Sequence, residues 1–185
     1  MRSIFIIIMA FAFSSAVAQT TAPTADELLA PAYKQAAAEN KNVLIIFHAS
    51  WCGWCKKMDA SMNDPLISKY FTDNYVTVHL TVEESAKNKQ LENAGAFELK
   101  KKYYGEAAGL PFFLIMNKNK ELLADSYIRP ADAPPLSKPA ENTNTGCPAA
   151  DNEVAYFISI LKSTSKLDDK ALSQIAERFK KNNVK

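Results

Sequence analysis

Short apolar runs alternate with stretches of helical composition along most of this chain. Continuous apolar or β-branched runs predict four strands, over residues 43–48, 75–82, 112–116 and 122–128. The last two runs are separated by a polar turn, so we expect these two strands to pair antiparallel. Helices are predicted between the strands, over residues 52–62, 66–71 and 88–103.

A further helix is expected before the first strand. It is predicted to begin near Ala30 and to end near Asn40, because Pro31 then occupies the first helical position, where proline fits. Thr24 and Glu27 have the spacing of a capping box. Because Pro31 argues against one continuous helix from that point, we expect residues 19–29 to be a flexible lead.

The C-terminal part is predicted to hold a proline-rich loop and two helices. Residues 129–151 contain five prolines and few large apolar residues, which is typical of a long loop. Apolar residues then recur at helical spacing, at Val154, Phe157, Ile158 and Leu161. Ser165 or Asp168 is expected to cap a last helix, so that the two helices span residues 152–182. The apolar face of this last helix is expected to carry Leu172, Ile175 and Phe179.

The first 18 residues have the pattern of a secretory signal peptide. Arg2 precedes an apolar stretch over residues 4–13, and Ala16 and Ala18 form an Ala-x-Ala cleavage site. A membrane anchor is the alternative, but a spanning helix needs roughly 20 apolar residues. The pattern therefore predicts export, most simply to a bacterial periplasm, with contact to the membrane only before the signal peptide is removed.

Length and charge limit the classes of function. After removal of residues 1–18, the remaining length suits one domain, which we place at residues 30–185. A net charge of +2 gives no reason to expect a nucleic-acid partner. The run Lys100–Lys102 is expected to be the solvated face of a helix. Three cysteines are too few for a disulfide scaffold, so the core must hold the fold.

The strongest chemical signal is the segment Trp51–Lys56, which follows the first predicted strand. Cys52 is expected at the start of a helix, where free N–H groups and the helix dipole favour a thiolate and lower the thiol pKa from about 8.5. Cys55 lies three residues further on and can close a small disulfide ring. This arrangement predicts a disulfide-exchange centre. A zinc site that also uses His48 and His79, or a purely structural disulfide, is the alternative.

The order of elements and two motifs resemble the thioredoxin family. The segment Phe47–Lys56 is similar to its active-site stretch, and Gly109–Phe112 is similar to the loop that carries its cis-proline. The resemblance covers about residues 30–128 and is greatest to exported thioredoxin-like proteins, including the C-terminal module of periplasmic thiol:disulfide interchange proteins. It implies an α/β thioredoxin-like fold: a mixed four-stranded central sheet flanked by helices, here with an extra C-terminal helical segment.

The resemblance also implies roles for individual residues. Cys52 would attack a partner disulfide and Cys55 would resolve the mixed disulfide. The residues implied to contact the substrate flank the thiols or the proline: Trp51, Gly53, Trp54, Leu110 and Pro111. The implied partners are proteins with disulfides or thiols and an upstream thiol–disulfide electron donor or acceptor. No cofactor and no metal are expected.

Two positions depart from the family pattern. Trp54 stands where thioredoxin has proline between its thiols, and Ile46 stands where it has a buried acid. His48 or His79 is a candidate for assisting the deprotonation of Cys55, since histidine titrates near neutral pH. Cys147 is expected to be a bystander thiol or to dock transiently to the active pair. The alternative functions are a binding or chaperone-like module with little redox turnover, and an oxidant that inserts disulfides.

Overall fold

The computed structural model describes residues 22–130, 132–134 and 136–183. The predicted signal peptide lies outside these residues. The four strands are β1 (Asn42–His48), β2 (Tyr75–Thr81), β3 (Phe112–Met116) and β4 (Leu122–Asp125). The six α-helices are α1 (Ala25–Glu39), α2 (Gly53–Met62), α3 (Ser68–Asn74), α4 (Ala96–Lys102), α5 (Asp151–Thr164) and α6 (Asp169–Lys180). Short 3-10 helices cover Ala86–Leu91, Gly105–Ala107 and Lys181–Asn183.

The four strands form one mixed sheet in the order β2-β1-β3-β4. β1 pairs parallel with β2 and antiparallel with β3, and β3 pairs antiparallel with β4. The two inner strands, β1 and β3, are covered on both faces, which explains why their sequences are continuous apolar runs. The predicted fold class, a thioredoxin-like α/β fold with a mixed four-stranded sheet and added C-terminal helices, is confirmed.

Two hydrophobic clusters lie on opposite faces of the sheet. On one face α2, α3, α5 and α6 pack against Leu44 and Ile46, and Phe157 and Phe179 meet there with their ring centroids 5.0 Å apart. On the other face α1 and α4 pack against Val43, Ile45 and Phe47. The C-terminal helices therefore complete the core on the face that supports α2.

The first helix begins earlier than predicted, at Ala25 instead of Ala30. Thr24 forms both hydrogen bonds of a capping box with Glu27, and the Ala25 N–H donates to the carbonyl of Ala94 at 2.9 Å. Leu29 is buried in the core. These contacts outweigh the cost of Pro31 inside the helix, so residues 25–29 of the expected flexible lead are helical.

The prediction of a single helix over residues 88–103 is also wrong. The chain forms a 3-10 helix over Ala86–Leu91, breaks, and starts α4 at Ala96. Asn93 lies in the break, where its side chain accepts a hydrogen bond from the Thr81 N–H and donates one to the Pro23 carbonyl. Gly95 has φ of 83°, a left-handed conformation that suits glycine. Local amino-acid composition does not reveal these hydrogen bonds, because their partners lie far away in the sequence.

Smaller differences concern a strand end, a helix and a lysine. The predicted strand 122–128 ends at Asp125, and the predicted helix 66–71 is shifted to Ser68–Asn74. Lys100, expected on a solvated helix face, is 0% exposed. Its Nζ donates to the Glu83 carboxylate at 2.6 Å and to the Ala108 carbonyl at 2.8 Å, so these two acceptors replace the hydration of the buried ammonium group.

The chain after β4 forms a loop that returns to its own start; we call residues 126–150 the returning segment. The Ile128 N–H donates to the Thr143 carbonyl, and the Thr145 N–H donates to the Ser126 carbonyl. Tyr127 and Asn144 pair as an antiparallel bridge. Two short stretches of the segment are thus held together at its base. Among the residues described, none of the helices is long and apolar enough to cross a membrane.

Candidate active site

Cys52 and Cys55 form a disulfide at the start of α2. Their sulfur atoms are 2.01 Å apart, and each residue is 3% exposed. Cys52 is the N-cap of α2, and its Sγ accepts a hydrogen bond from the Cys55 N–H at 3.0 Å. The predicted position of the cysteine pair, after β1 and at a helix N-terminus, is therefore confirmed. Free N–H groups at that end favour a thiolate when the disulfide is reduced.

A buried carboxylate holds the chain just before the cysteines. Glu84 accepts hydrogen bonds from the Ser50 N–H and from the Ser50 hydroxyl, the latter at 2.7 Å. Burial acts to raise the pKa of Glu84, but the hydrogen bonds from Ser50 and Asn88 outweigh it and lower the pKa below its usual value. An ionised Glu84 thus fixes the loop between β1 and α2. Sequence reasoning did not identify this residue, which lies 34 positions from Ser50.

The two tryptophans beside the thiols remain accessible. Trp51 is 58% exposed and Trp54 is 47% exposed. The indole N–H of Trp51 donates to the Glu83 carbonyl at 2.9 Å, and the Lys57 Nζ lies 4.2 Å from the ring centroid of Trp54. Both rings are therefore oriented by neighbours while an apolar surface faces solvent. Large exposed aromatic rings next to a disulfide are a typical contact surface for a partner.

The loop before β3 lies against the disulfide. The peptide bond between Leu110 and Pro111 is cis. Leu110 packs against Ala49, Cys52 and Cys55. Among the residues described, neither the N–H nor the carbonyl of Leu110 forms a hydrogen bond. This backbone is free to pair with an extended chain.

Asn144 of the returning segment holds this loop in place. Its side-chain Nδ2 donates to the Gly109 carbonyl at 2.8 Å and to the Pro111 carbonyl at 3.3 Å. The two bonds flank Leu110 on both sides. Sequence reasoning missed Asn144, since nothing in a proline-rich loop indicates which residue returns to the active site.

The structure places all five residues that the sequence analysis assigned to substrate contact around the disulfide: Trp51, Gly53, Trp54, Leu110 and Pro111. A Cβ built on Gly53 would have no atom within 4 Å. The glycine is therefore not required by packing inside this chain.

A pair of titratable side chains lies one helical turn beyond Cys55. Asp59 is four residues after Cys55 on α2, hence on the same helix face. Its Oδ1 is 2.8 Å from His79 Nε2 on β2. His79 is the register partner of Ile46, whose side chain is buried in the core. Asp59 was not identified from the sequence, although its spacing from Cys55 is the signal that could have found it.

His48 lies beside this pair but has a different environment. Its ring centroid is 5.3 Å from that of His79, and its Nε2 is 3.2 Å from the Thr81 hydroxyl oxygen. Burial, and then the nearby His79, lower the pKa of His48. Of the two histidines considered from the sequence, His79 is the one bonded to a carboxylate on the helix that carries Cys55.

The third cysteine is buried in the core. Cys147 is a free thiol whose Sγ accepts a hydrogen bond from Asn182 Nδ2 at 3.4 Å. Burial raises its pKa to about 12, so the thiol stays protonated near neutral pH. These features oppose transient docking of Cys147 to the active pair and favour the bystander interpretation.

The described part of the chain holds no group of three or more His, Cys, Asp or Glu side chains placed to bind a metal ion. Cys52 and Cys55, the two thiol ligands of the zinc alternative, are instead bonded to each other.

One family model and several solved structures are similar to parts of this chain. Residues 24–118 match the model of a family described as thioredoxin-like. A disulphide isomerase from Xylella fastidiosa Temecula1 is 19% identical, with a TM-score of 0.43, over 52% of this chain and 69% of that chain. The oxidised C-terminal domain of DsbD from Neisseria meningitidis is 18% identical, with a TM-score of 0.39, over 57% of this chain and 84% of its own. A structure titled DsbH oxidoreductase is 19% identical, with a TM-score of 0.40, over 83% and 95%.

Proposed function

Because the chain belongs to the thioredoxin-like family, we propose that it is an exported thiol–disulfide oxidoreductase that reduces or exchanges disulfides in protein substrates. The observation that carries the proposal is the Cys52–Cys55 disulfide at the N-terminus of α2, beside the free backbone of Leu110. A disulfide that only stabilised the fold would have no need of two exposed tryptophans and an unpaired loop at its side.

The reaction takes place in two exchange steps. In the reduced protein, the Cys52 thiolate attacks one sulfur of the substrate disulfide, and the other substrate sulfur leaves as a thiolate. Cys55 then loses its proton and attacks Cys52 Sγ, which breaks the mixed disulfide and releases the second substrate thiolate. The substrate gains two electrons, and the enzyme dithiol is oxidised to the Cys52–Cys55 disulfide seen here.

Substrate contact is assigned to the surface around the disulfide. Trp51 and Trp54 supply apolar area, and Gly53 leaves the surface between them open. Leu110, held next to cis Pro111, offers one N–H and one carbonyl to an extended substrate segment, as in strand addition to an unpaired edge.

The partners follow from this chemistry and from the N-terminal sequence. Return to the dithiol state requires an upstream thiol donor, whereas no cofactor takes part in thiol–disulfide exchange. The signal-peptide pattern of residues 1–18 supports export, with a bacterial periplasm as the proposed compartment.

The test is the reduction potential of the Cys52–Cys55 pair, measured by equilibration in glutathione buffers followed by alkylation of free thiols. A Cys147→Ser variant serves as the matched control that keeps the thiol count to the active pair. We expect a value near or below about −230 mV, as for a reductase. A value of about −120 to −180 mV would indicate an oxidant or isomerase. No reversible couple would contradict the proposal and leave a binding module in its place.

A further inference from the structure

Two loops that flank the disulfide are joined beneath the surface by one side chain. Lys100, on α4, donates from its Nζ to the Glu83 carboxylate at 2.6 Å and to the Ala108 carbonyl at 2.8 Å. Glu83 lies two residues after the end of β2, and Ala108 lies two residues before Leu110. The Lys100 ammonium therefore connects the turn after β2 to the loop that carries the cis-proline.

The turn at Glu83 orients Trp51. Glu83 has φ of 56°, a left-handed conformation that residues other than glycine rarely adopt and that persists where surrounding contacts hold it. The Glu83 carbonyl accepts the hydrogen bond from the Trp51 indole at 2.9 Å. Among the residues described, the Lys100 Nζ is the one hydrogen-bond partner of the Glu83 carboxylate. A contact that holds Glu83 in this turn thus also holds Trp51.

The Ala108 carbonyl leads into the cis-proline loop. It belongs to the peptide bond between Ala108 and Gly109, directly before Leu110. Asn144 holds the two carbonyls that follow on either side of Leu110. Within the described chain, only Lys100 donates to the Ala108 carbonyl. Without the lysine, the first carbonyl of this loop would be buried with no donor.

The packing around Lys100 is arranged for a long side chain that ends in a charge. Lys100 is fully buried, and a Cβ on Gly105 would lie 2.6 Å from Lys100 Cγ, so the glycine leaves room for the lysine stem. Removing an ammonium from water is unfavourable unless it is paired and hydrogen-bonded, whereas an apolar side chain has no such requirement. Both groups that compensate the ammonium lie in loops beside the disulfide. This placement favours a role in arranging the active site over a role in filling the core alone.

We propose that Lys100 is a positioning residue of the active site: through Glu83 and Ala108 it fixes the distance between Trp51 and the backbone of Leu110. The inference rests on the proposed function, in which Trp51 and Leu110 contact the substrate. Because Lys100 is fully buried, it acts through the two loops and not by touching the substrate. A polypeptide substrate contacts both loops and depends on the distance between them. A small disulfide reaches Cys52 without spanning that distance.

The experiment compares two mixed disulfides that carry the same leaving group, thionitrobenzoate. One is formed with the central cysteine of an alanine-rich peptide and the other with cysteamine. Stopped-flow absorbance records the release of thionitrobenzoate after the reduced protein is mixed with an excess of either compound, which gives the second-order rate constant for attack by Cys52. The measured quantity is the ratio of the peptide rate constant to the cysteamine rate constant. This ratio cancels any change in the reactivity of the Cys52 thiolate itself.

Loss of the lysine ammonium is expected to lower the ratio. In Lys100→Met we expect a fall of about tenfold or more, since a displacement of about 1 Å can slow a positioned reaction roughly a hundredfold. The cysteamine rate constant should stay near the wild-type value. Glu83→Leu removes the other end of the same contact and gives the same test if Lys100→Met folds poorly. The matched controls are Lys101→Met and Glu106→Leu, which break the neighbouring exposed pair.

A further control separates positioning from a general loss of stability. Met116 is buried and lies at the end of β3 farthest from Pro111. Met116→Ala leaves a cavity in the core and destabilises the fold, while both hydrogen bonds of Lys100 remain in place. At a temperature where all variants are folded, it should leave the ratio unchanged.

The outcomes separate the two proposals. A ratio that is lowered in Lys100→Met and Glu83→Leu and unchanged in the three controls supports the positioning role. A wild-type ratio in folded Lys100→Met, or in Glu83→Leu where Lys100→Met does not fold, overturns it, and so does an equal fall in Met116→Ala. If the wild-type protein releases thionitrobenzoate from neither compound, the proposed function itself fails.

Discussion

Replacing Lys100 with methionine tests the contribution of the buried lysine ammonium, which the sequence did not reveal. The ammonium of Lys100 is the sole part of the side chain with polar partners: the Glu83 carboxylate and the Ala108 carbonyl. Methionine has a similar length and fills irregular apolar space, so Lys100→Met removes the charge while keeping most of the packing.

The two lost hydrogen bonds have unequal consequences. Ala108 is buried, and an unsatisfied buried carbonyl costs about 1–3 kcal/mol. The Glu83 side chain is 31% exposed, so water can replace the ammonium there and little further cost is expected. We therefore expect Lys100→Met to lower the free energy of unfolding by about 2 kcal/mol.

The neighbouring lysine provides the control. Lys101 pairs with Glu106 at 2.7 Å, but both side chains are more than half exposed, and such pairs contribute little. Urea unfolding of the oxidised proteins, followed by circular dichroism, gives the free energies of Lys100→Met and Lys101→Met. If the two variants lose equal stability, or if Lys100→Met is as stable as the wild type, the reasoning from burial is refuted.

Three other predictions concern a tightly packed glycine, a carboxylate on α2 and the buried third cysteine. In Gly105→Ala the new Cβ would lie 2.8 Å from Phe112 Cε1 and 2.6 Å from Lys100 Cγ, so urea unfolding should show a loss of about 1–3 kcal/mol; wild-type stability would contradict the overpacking argument. If Asp59, paired with His79, receives the Cys55 proton, the second exchange step should slow by about tenfold or more in Asp59→Asn. Rapid acid quenching would then trap the mixed disulfide, and an unchanged lifetime of that mixed disulfide would exclude this role. Cys147, with a pKa raised from 9.0 to about 12, should stay protonated in the folded protein between those pH values while the unfolded chain ionises. Stability should therefore fall as pH rises through that interval, more in the wild type than in Cys147→Ser, and equal slopes would contradict the assignment.

The parts predicted from sequence are those whose cause is local. The strand over Val43–His48 is a continuous apolar run because both faces are covered, and this pattern is visible without the fold. The position of Cys52 at a helix start follows from the strand before it and the helical stretch after it. Resemblance, not periodicity, supplied the expectation that Pro111 is cis, and the structure has that bond.

The parts that were missed depend on contacts between distant residues. Lys100 looks like an exposed lysine until Glu83 and the Ala108 carbonyl are brought to it by tertiary structure. Asn144 has no local feature that marks it as the residue that bridges Gly109 and Pro111. The start of α1 was placed too late because the cost of Pro31 is local, whereas the burial of Leu29 is not.

Because the base of the returning segment is held by hydrogen bonds, selection on the loop over residues 129–142 can act separately from selection on the active site. Residues 126–128 and 143–145 hold each other through backbone bonds, which depend little on side-chain identity. Sequence drift between residues 129 and 142 therefore leaves Asn144 anchored beside the cis-proline loop. A lineage could change the length of this stretch, as loop lengths vary on immunoglobulin domains, without redesigning the thiol chemistry beneath it.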